Sequence, residues 1–316
     1  MKVLVKEKGI KRTKGDIVFG ILNYAVFGLF TLICFYPFYY LIINSVSAND
    51  LSNNGSINFL PSQLHLENYK QVLQLKGLGL AALVSVGRTV IGTVCTVLAS
   101  AFLGFMFTQD RMWKRKLWYR LMVVTMYFNA GLIPMFLTMQ NLHLTNSFWV
   151  YVIPVIVQPF NIILVKTYME SISPALQEAA EIDGASVMKV FMKIMLPLAK
   201  PIMATIAIFA AVGQWNSFTD TLFLMSDSRY YTLQFILYQY LNEANAIANS
   251  LRSSMENGIA ADPSLLITPT AIKMTVSMVV VLPILFVYPL FQRYFVSGIM
   301  IGAVTVSYTH LTLPTT

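Results

Sequence analysis

One polar segment, Ser173–Pro201, carries the residues whose types and spacing are best suited to chemistry, and it lies between two long hydrophobic stretches. It begins with a Ser-Pro pair, a helix-start signal, because Ser caps a helix and Pro suits its first position. Gly184 predicts a backbone turn that a residue with a Cβ would resist. The spacing therefore predicts two short helices, Ala175–Ile182 and Ala185–Met195. A structured pair of this kind between hydrophobic stretches is suited to binding a soluble partner.

The second predicted helix of the polar segment is amphipathic, because its apolar residues recur at helical spacing and form one face. These residues are Val187, Val190, Phe191, Ile194 and Met195. One interpretation is a helix that lies on lipid headgroups. The acidic residues Glu178, Glu181 and Asp183 favour a groove in a protein instead, because anionic lipids repel carboxylates.

The hydrophobic stretches around this segment define the class of protein. The chain is 56% hydrophobic and 11% charged, whereas a soluble domain carries about 25% charged residues. A span needs roughly 20 apolar residues, and six stretches qualify. They are Ile17–Ile43, Leu83–Phe107, Leu121–Leu142, Phe148–Val165, Pro201–Leu224 and Met274–Phe291. The sequence thus predicts an all-α membrane protein with six transmembrane helices packed as a bundle.

The distribution of positive charge predicts the orientation of these spans. Sixteen Lys and Arg residues fall on one side and five on the other, a bias that satisfies the positive-inside rule. The N-terminal segment 1–16, the loops 109–120 and 166–200, and both termini are therefore expected in the cytoplasm. The loops 44–78 and 225–272 are expected outside. The net charge of +8 fits orientation in a membrane better than binding of nucleic acid.

Arg88 is the only positively charged residue inside a predicted span. A charge in the membrane can mark a substrate or ion contact. The alternative is an arginine near the outer end of its helix that extends its side chain to the interface. The second interpretation is the one we expect.

The sequence lacks the motifs that several other functions require. There is no G-x4-GK[ST] phosphate loop, and no hydrolase motif lies in a predicted span. The cysteines Cys34 and Cys95 lie in apolar stretches, and the three histidines are far apart. We therefore expect no enzyme activity, no bound cofactor and no metal site in this chain.

The polar segment also carries a family resemblance, through the pattern EAA-x2-DGA-x5-F-x2-I-x-LP-x3-P. Every fixed position is filled, by Glu178, Ala179, Ala180, Asp183, Gly184, Ala185, Phe191, Ile194, Leu196, Pro197 and Pro201. The pattern resembles the signature loop of the membrane subunits of binding-protein-dependent ABC importers. Three other stretches, Tyr36–Ser47, Gly213–Leu224 and Leu282–Val304, resemble the carbohydrate-uptake branch, in particular the permeases of oligosaccharide or aldouronate-type importers.

The resemblance implies a type I ABC importer permease fold and a set of partners. A second permease would complete the pore in a heterodimer, a separate ATPase dimer would hydrolyse ATP, and an extracellular lipoprotein would deliver the sugar. The loop 166–200 between spans four and five would insert a coupling helix into the ATPase. The coupling residues implied are Glu178, Ala179, Ala180, Asp183, Gly184, Ala185, Phe191 and Pro197. The protein would reside in a bacterial cell membrane.

The sugar path is predicted from residue types alone, because oligosaccharides are held by aromatic faces together with polar side chains. The candidates are Phe128, Asn129, Trp215 and Asn216, and helix packing is the alternative for each.

A secondary, ion-coupled sugar transporter is the alternative function. It is disfavoured because no Asp or Glu lies deep in a span, Asp220 being near the outer end of the fifth. The final stretch, 305–316, does not fit the permease domain 17–304 and is interpreted as a non-native tail, with a short disordered native tail as the alternative.

Overall fold

The computed structural model describes residues 13–53, 55–75, 77–242 and 273–285. Within these ranges the regular structure is helical, and they contain no strand. Several predictions lie outside the described residues: most of the segment 1–16, most of the loop 225–272, the end of the sixth span and the tail 305–316.

The first helices are α1 (Lys14–Ser45), α2 (Asn49–Asn53), α3 (Glu67–Leu73), α4 (Leu78–Met106), α5 (Arg115–Thr125) and α6 (Leu132–Asn141).

The second half of the chain continues with shorter helices. Two 3-10 turns, Phe148–Tyr151 and Ile153–Val155, lead into α7 (Pro159–Glu170). The remaining elements are α8 (Pro174–Ile182), α9 (Val187–Val190), a π-helical turn (Phe191–Met195), α10 (Leu196–Leu198), α11 (Lys200–Asn216), α12 (Thr219–Leu224) and a 3-10 turn (Ser228–Tyr230). Residues 233–242 and Lys273–Leu285 are also helical.

Among the described residues, α1 and α4 could each cross a membrane by length and apolar composition, and two bent helix pairs bring that number to as many as four. The third predicted span is divided between α5 and α6 rather than continuous. Asn129 accepts a hydrogen bond from the backbone N–H of Gly131 at 2.9 Å, and Gly131 has a φ of +87°. This local bond competes with the helical pattern, and therefore the chain turns where the sequence predicted one helix.

Proline explains the break in the fourth predicted span. The pair formed by Phe148–Val155 and α7 bends by 45°. Pro154 and Pro159 lie at this bend and have no N–H to donate to the preceding turn, so a straight helix cannot be completed there.

The core is built around α4, which packs against α7 and α11. A close approach makes this possible, because a Cβ on Gly104 would lie 2.7 Å from Cγ1 of Val165 in α7. The buried cluster includes Ala101, Phe105, Val165, Met169, Val190, Phe191, Met195, Ala199, Ile202 and Ile206. Because this cluster draws on the polar segment as well as on the long helices, the segment is held as part of the packed body.

By contrast, α1 is exposed along most of its length, and its buried residues are confined to Ile43, Asn44 and Ser45 at its end. There the Asn44 amide donates to the Ile57 carbonyl at 3.2 Å, and the Ser45 hydroxyl lies 2.7 Å from the Tyr69 hydroxyl. An exposed apolar helix of this kind is suited to contact with lipid or with another membrane chain.

Candidate functional site

The polar segment folds as two short helices on either side of a tight turn. The first, α8, spans Pro174–Ile182. Gly184 follows with a φ of +77°, the left-handed region that glycine enters without strain. The next helix begins at Val187, two residues later than the sequence predicted, because Ser186 caps it by accepting from the Lys189 N–H at 3.4 Å.

A π-helical turn, Phe191–Met195, interrupts the second helix and was not predicted. Pro197 follows this turn and cannot donate a backbone hydrogen bond to the residue four positions earlier. The wider turn accommodates this missing bond. Beyond it the chain bends by 78° between Val187–Leu198 and α11, so the polar segment crosses the direction of the helix that follows it.

The inward face of the polar segment is apolar and packs against α4. The ring of Phe191 lies 5.0 Å from the ring of Phe105 and 6.0 Å from that of Phe102, measured between centroids. Val190 and Met195 are buried in the same cluster. Three predicted face residues therefore anchor the segment to the long helix.

A polar contact adds a second link between the segment and the end of α4. The Gln177 side chain of α8 donates to Gln109 at 3.0 Å and to Glu181 at 3.1 Å. Glu181 in turn accepts from Arg111 at 2.9 Å. Through these side chains α8 is joined to the loop that follows α4.

The outward face of the polar segment is exposed and partly apolar. Ile182, at the end of α8, is 87% exposed, and Met188 and Met192 are each more than half exposed. The remaining predicted coupling residues on this face, Glu178, Ala179, Asp183, Gly184 and Pro197, are exposed as well, whereas Ala180 and Ala185 are half-buried. Exposed apolar side chains beside carboxylates are suited to a groove in a partner protein.

The prediction that Arg88 extends to the membrane interface is wrong. Its side chain is 2% exposed and lies inside the helix bundle. It donates to both oxygens of Asp220, at 3.2 and 2.5 Å, and its Nε donates to Gln214 at 3.0 Å. The chain breaks between α11 and α12 and so brings Asp220 to face α4, a partner that spacing along the sequence could not show.

Further contacts hold the ends of this buried ion pair. The guanidinium of Arg88 lies 4.3 Å from the centre of the Tyr151 ring. Gln214 donates to the Tyr151 carbonyl at 2.9 Å. A Cβ on Gly92 would lie only 2.3 Å from Nε2 of Gln214, so glycine leaves the space that this amide occupies. The charge of Arg88 is thereby neutralised and tied to three elements.

A polar cavity of about 360 Å³ opens beside this ion pair. Its lining includes Arg88, Gln158, Phe160, Asn161, Gln214 and Asp220. Asn161 is 6% exposed, and its amide has no hydrogen-bond partner among the described residues. An amide that lines a cavity without a protein partner can bond to water or to a ligand hydroxyl there. Composition alone gave no signal for this cavity, because its residues come from four separate helices.

The structure does not bring the predicted path residues together. Phe128 and Asn129 lie at the exposed break between α5 and α6. The Trp215 indole donates to the Val280 carbonyl at 3.1 Å, which is a helix-packing contact, and Asn216 is exposed at the end of α11. None of the four lines the polar cavity.

The described residues contain no group of His, Cys, Asp or Glu side chains that could hold a metal ion. They do offer an anchored segment with an exposed face and a polar cavity among the long helices.

These features define a helical membrane protein with an exposed polar segment between its apolar helices, as in the membrane subunits of transporters. The chain belongs to the family of binding-protein-dependent transport system inner membrane components, which it matches over residues 96–301. It is accordingly a membrane-located transport subunit.

Individual relatives cover nearly the whole chain. Protein LplC of Bacillus subtilis is 32% identical over 92% of this chain and 96% of its own length. The polygalacturonan/rhamnogalacturonan transport system permease protein YtcP of the same species is 31% identical over 91% and 98%. A crystal structure of a bacterial ABC transporter that imports the acidic polysaccharide alginate contains a chain with a TM-score of 0.78 and 28% identity, covering 90% of this chain and 99% of that one.

Proposed function

We propose that this chain is the permease subunit of an ATP-driven importer of oligosaccharides. The observation that carries the proposal is the outward face of the polar segment, which exposes Ile182 and Glu178 while its other face is fixed to α4. A segment whose inner face is packed against α4 and whose outer face is apolar can transmit the movement of a soluble partner to the helix bundle. The YtcP permease, named for polygalacturonan/rhamnogalacturonan transport, and the alginate importer support the choice of substrate class.

The partners in this proposal follow from the family. A separate ATPase dimer would bind the polar segment, a second permease would complete the pore, and an extracellular sugar-binding lipoprotein would meet the external loops. Both termini would lie in the cytoplasm of a bacterial cell. The chain itself would hydrolyse nothing.

Within this proposal the polar cavity is the part of the chain best suited to touch a sugar. It offers the free amide of Asn161 together with the half-exposed ring of Phe160, the combination of polar and aromatic groups that binds saccharides. These residues replace Phe128, Asn129, Trp215 and Asn216 as our preferred contacts, because those four do not share a cavity.

Co-purification tests the proposal. Tagged protein is extracted from its native membrane in mild detergent, and the bound proteins are identified. We expect an ATPase and a second permease with the wild type, and loss of the ATPase with Glu178→Lys. Glu67→Lys is the matched control, because Glu67 is also an exposed glutamate and lies on the opposite predicted side. Among the described residues its one ion-pair partner is Lys70, at 3.4 Å.

A secondary transporter would give a different result. The chain would be recovered without an ATPase, and its sugar uptake would persist after ATP depletion but stop when a protonophore is added. That outcome would reject the proposed function, whereas loss of the ATPase in both Glu178→Lys and Glu67→Lys would reject the assignment of the docking face alone.

A further inference from the structure

A groove of about 500 Å³ at the start of α5 concentrates positive charge. Its lining contains four basic residues, Lys114, Arg115, Lys116 and Arg120, which we call the basic patch. Asp110 is the one carboxylate in the lining, and it pairs with Arg115 at 2.8 Å. Lys114, Lys116 and Arg120 have no carboxylate partner in the described part of the chain. Three positive charges are therefore left for a ligand.

The positions of these charges on α5 favour a bound anion. Lys116 and Arg120 are four residues apart, so they lie on the same side of the helix. Like charges at this spacing repel and destabilise a helix. Lys114 precedes the helix, and its ammonium lies 4.6 Å from the centre of the Trp113 ring. An anion held between the three would relieve the repulsion and accept hydrogen bonds from all of them.

An apolar stripe continues from the basic patch along α5. Leu117, Leu121 and Val124 are each nearly half exposed, and their spacing of four and three residues places them in a row. No residue of α5 is buried. Trp113, next to Lys114, and Trp118 of α5 are also exposed, and tryptophan is enriched where a membrane meets water. The surface is cationic at one end and apolar along the rest.

We propose that the basic patch is a binding site for an anionic phospholipid. The phosphate of the headgroup lies between Lys114, Lys116 and Arg120, and the acyl chains follow Leu117, Leu121 and Val124. Charge complementarity selects an anionic headgroup, and the apolar stripe selects a lipid over inorganic phosphate or an acidic protein surface. The site is independent of what the protein transports.

Quenching of tryptophan fluorescence by brominated lipids tests the proposal on the full chain. Trp149→Phe and Trp215→Phe leave Trp113 and Trp118 as reporters, since the chain has four tryptophans. The protein is reconstituted into vesicles that contain brominated phosphatidylglycerol or brominated phosphatidylcholine in increasing fractions. We expect the apparent association of phosphatidylglycerol to exceed that of phosphatidylcholine severalfold, and the two to become equal in Lys114→Gln/Lys116→Gln/Arg120→Gln.

Controls separate this site from general attraction to the membrane. Lys189→Gln/Lys193→Gln removes two exposed lysines of the polar segment and should leave the preference unchanged, as should added inorganic phosphate. If the triple variant does not fold, the single variant Arg120→Gln should still reduce the preference. Equal association of both lipids with the wild type would overturn the proposal, as would a preference that survives the triple substitution or is abolished by inorganic phosphate.

Discussion

At the scale of single residues, the pairing of Arg88 with Asp220 explains why a charge is tolerated among apolar helices. A buried charge is costly unless it is paired and hydrogen-bonded, and here Gln214 and the Ser217 carbonyl add to the carboxylate. The sequence identified Arg88 as exceptional but could not supply its partner, because 132 positions separate the two residues. A contact of that range depends on how α4, α11 and α12 pack.

Arg88→Gln should lower the stability of the protein strongly, by about 3 kcal/mol, because it leaves Asp220 without its cation. Asp220→Asn should cost at least as much, since Arg88 is the more deeply buried partner. Arg88→Gln/Asp220→Asn should recover part of the loss. The melting temperature of the purified protein in detergent measures these changes.

The control for this experiment is Arg229→Gln. Arg229 pairs with Asp227 at 2.6 Å on the surface, and its hydrogen bonds hold the pKa of the Asp227 carboxyl below its usual range. Because Arg229 is exposed, its removal should change the melting temperature little. If Arg88→Gln has the same melting temperature as the wild type, the buried pair does not contribute to stability.

At the scale of elements, the polar segment was the easiest part of the chain to predict and the predicted third span the hardest. Pro174 starts α8 and Gly184 permits the turn that follows, so both elements follow from local chemistry, although Ser173 makes no side-chain cap hydrogen bond. The break between α5 and α6 depends on one side-chain contact of Asn129 within a long apolar stretch. The apolar composition of this stretch predicted one continuous helix, and the Asn129 contact that breaks it is seen only in the structure.

Gly184→Val should abolish transport while the protein remains in the membrane. A β-branched residue resists a φ of +77°, at a cost of about 1–2 kcal/mol, so the turn would reorient α8 relative to α9. No neighbouring atom lies within 4 Å of a Cβ built at this position, and the effect is therefore one of backbone conformation. Uptake of labelled sugar, normalised to the amount of protein in the membrane, measures it.

Two variants check that cause. Gly184→Asn should retain much of the uptake, because Asn enters the left-handed region more readily than other residues. Gly28→Ala, in a helical part of α1 with open space around it, should change nothing. Equal loss of uptake in Gly184→Asn and Gly184→Val would point to a crowded interface rather than to the turn.

At the scale of the whole molecule, the charge bias predicts which surfaces face the cytoplasm. In a variant with Cys34→Ser and Cys95→Ser, single cysteines can report on the two sides. Ser173 and Ser226 are both exposed, at the start of α8 and after α12. In intact cells a membrane-impermeant maleimide should label Ser226→Cys and not Ser173→Cys. Permeabilised cells should label both, and the reverse pattern in intact cells would invert the proposed orientation.

The contacts of α1 have a consequence for the order in which the protein is assembled during synthesis. Tyr36, Asn44 and Ser45 find their partners at Asn58, Ile57 and Tyr69, at most 24 residues further along the chain. These contacts can form before α4 has left the ribosome, since chains fold in the order in which they are made. The end of the first helix can thus make its contacts early, and its exposed flank is left for lipid or another membrane chain to cover after the core around α4 has closed.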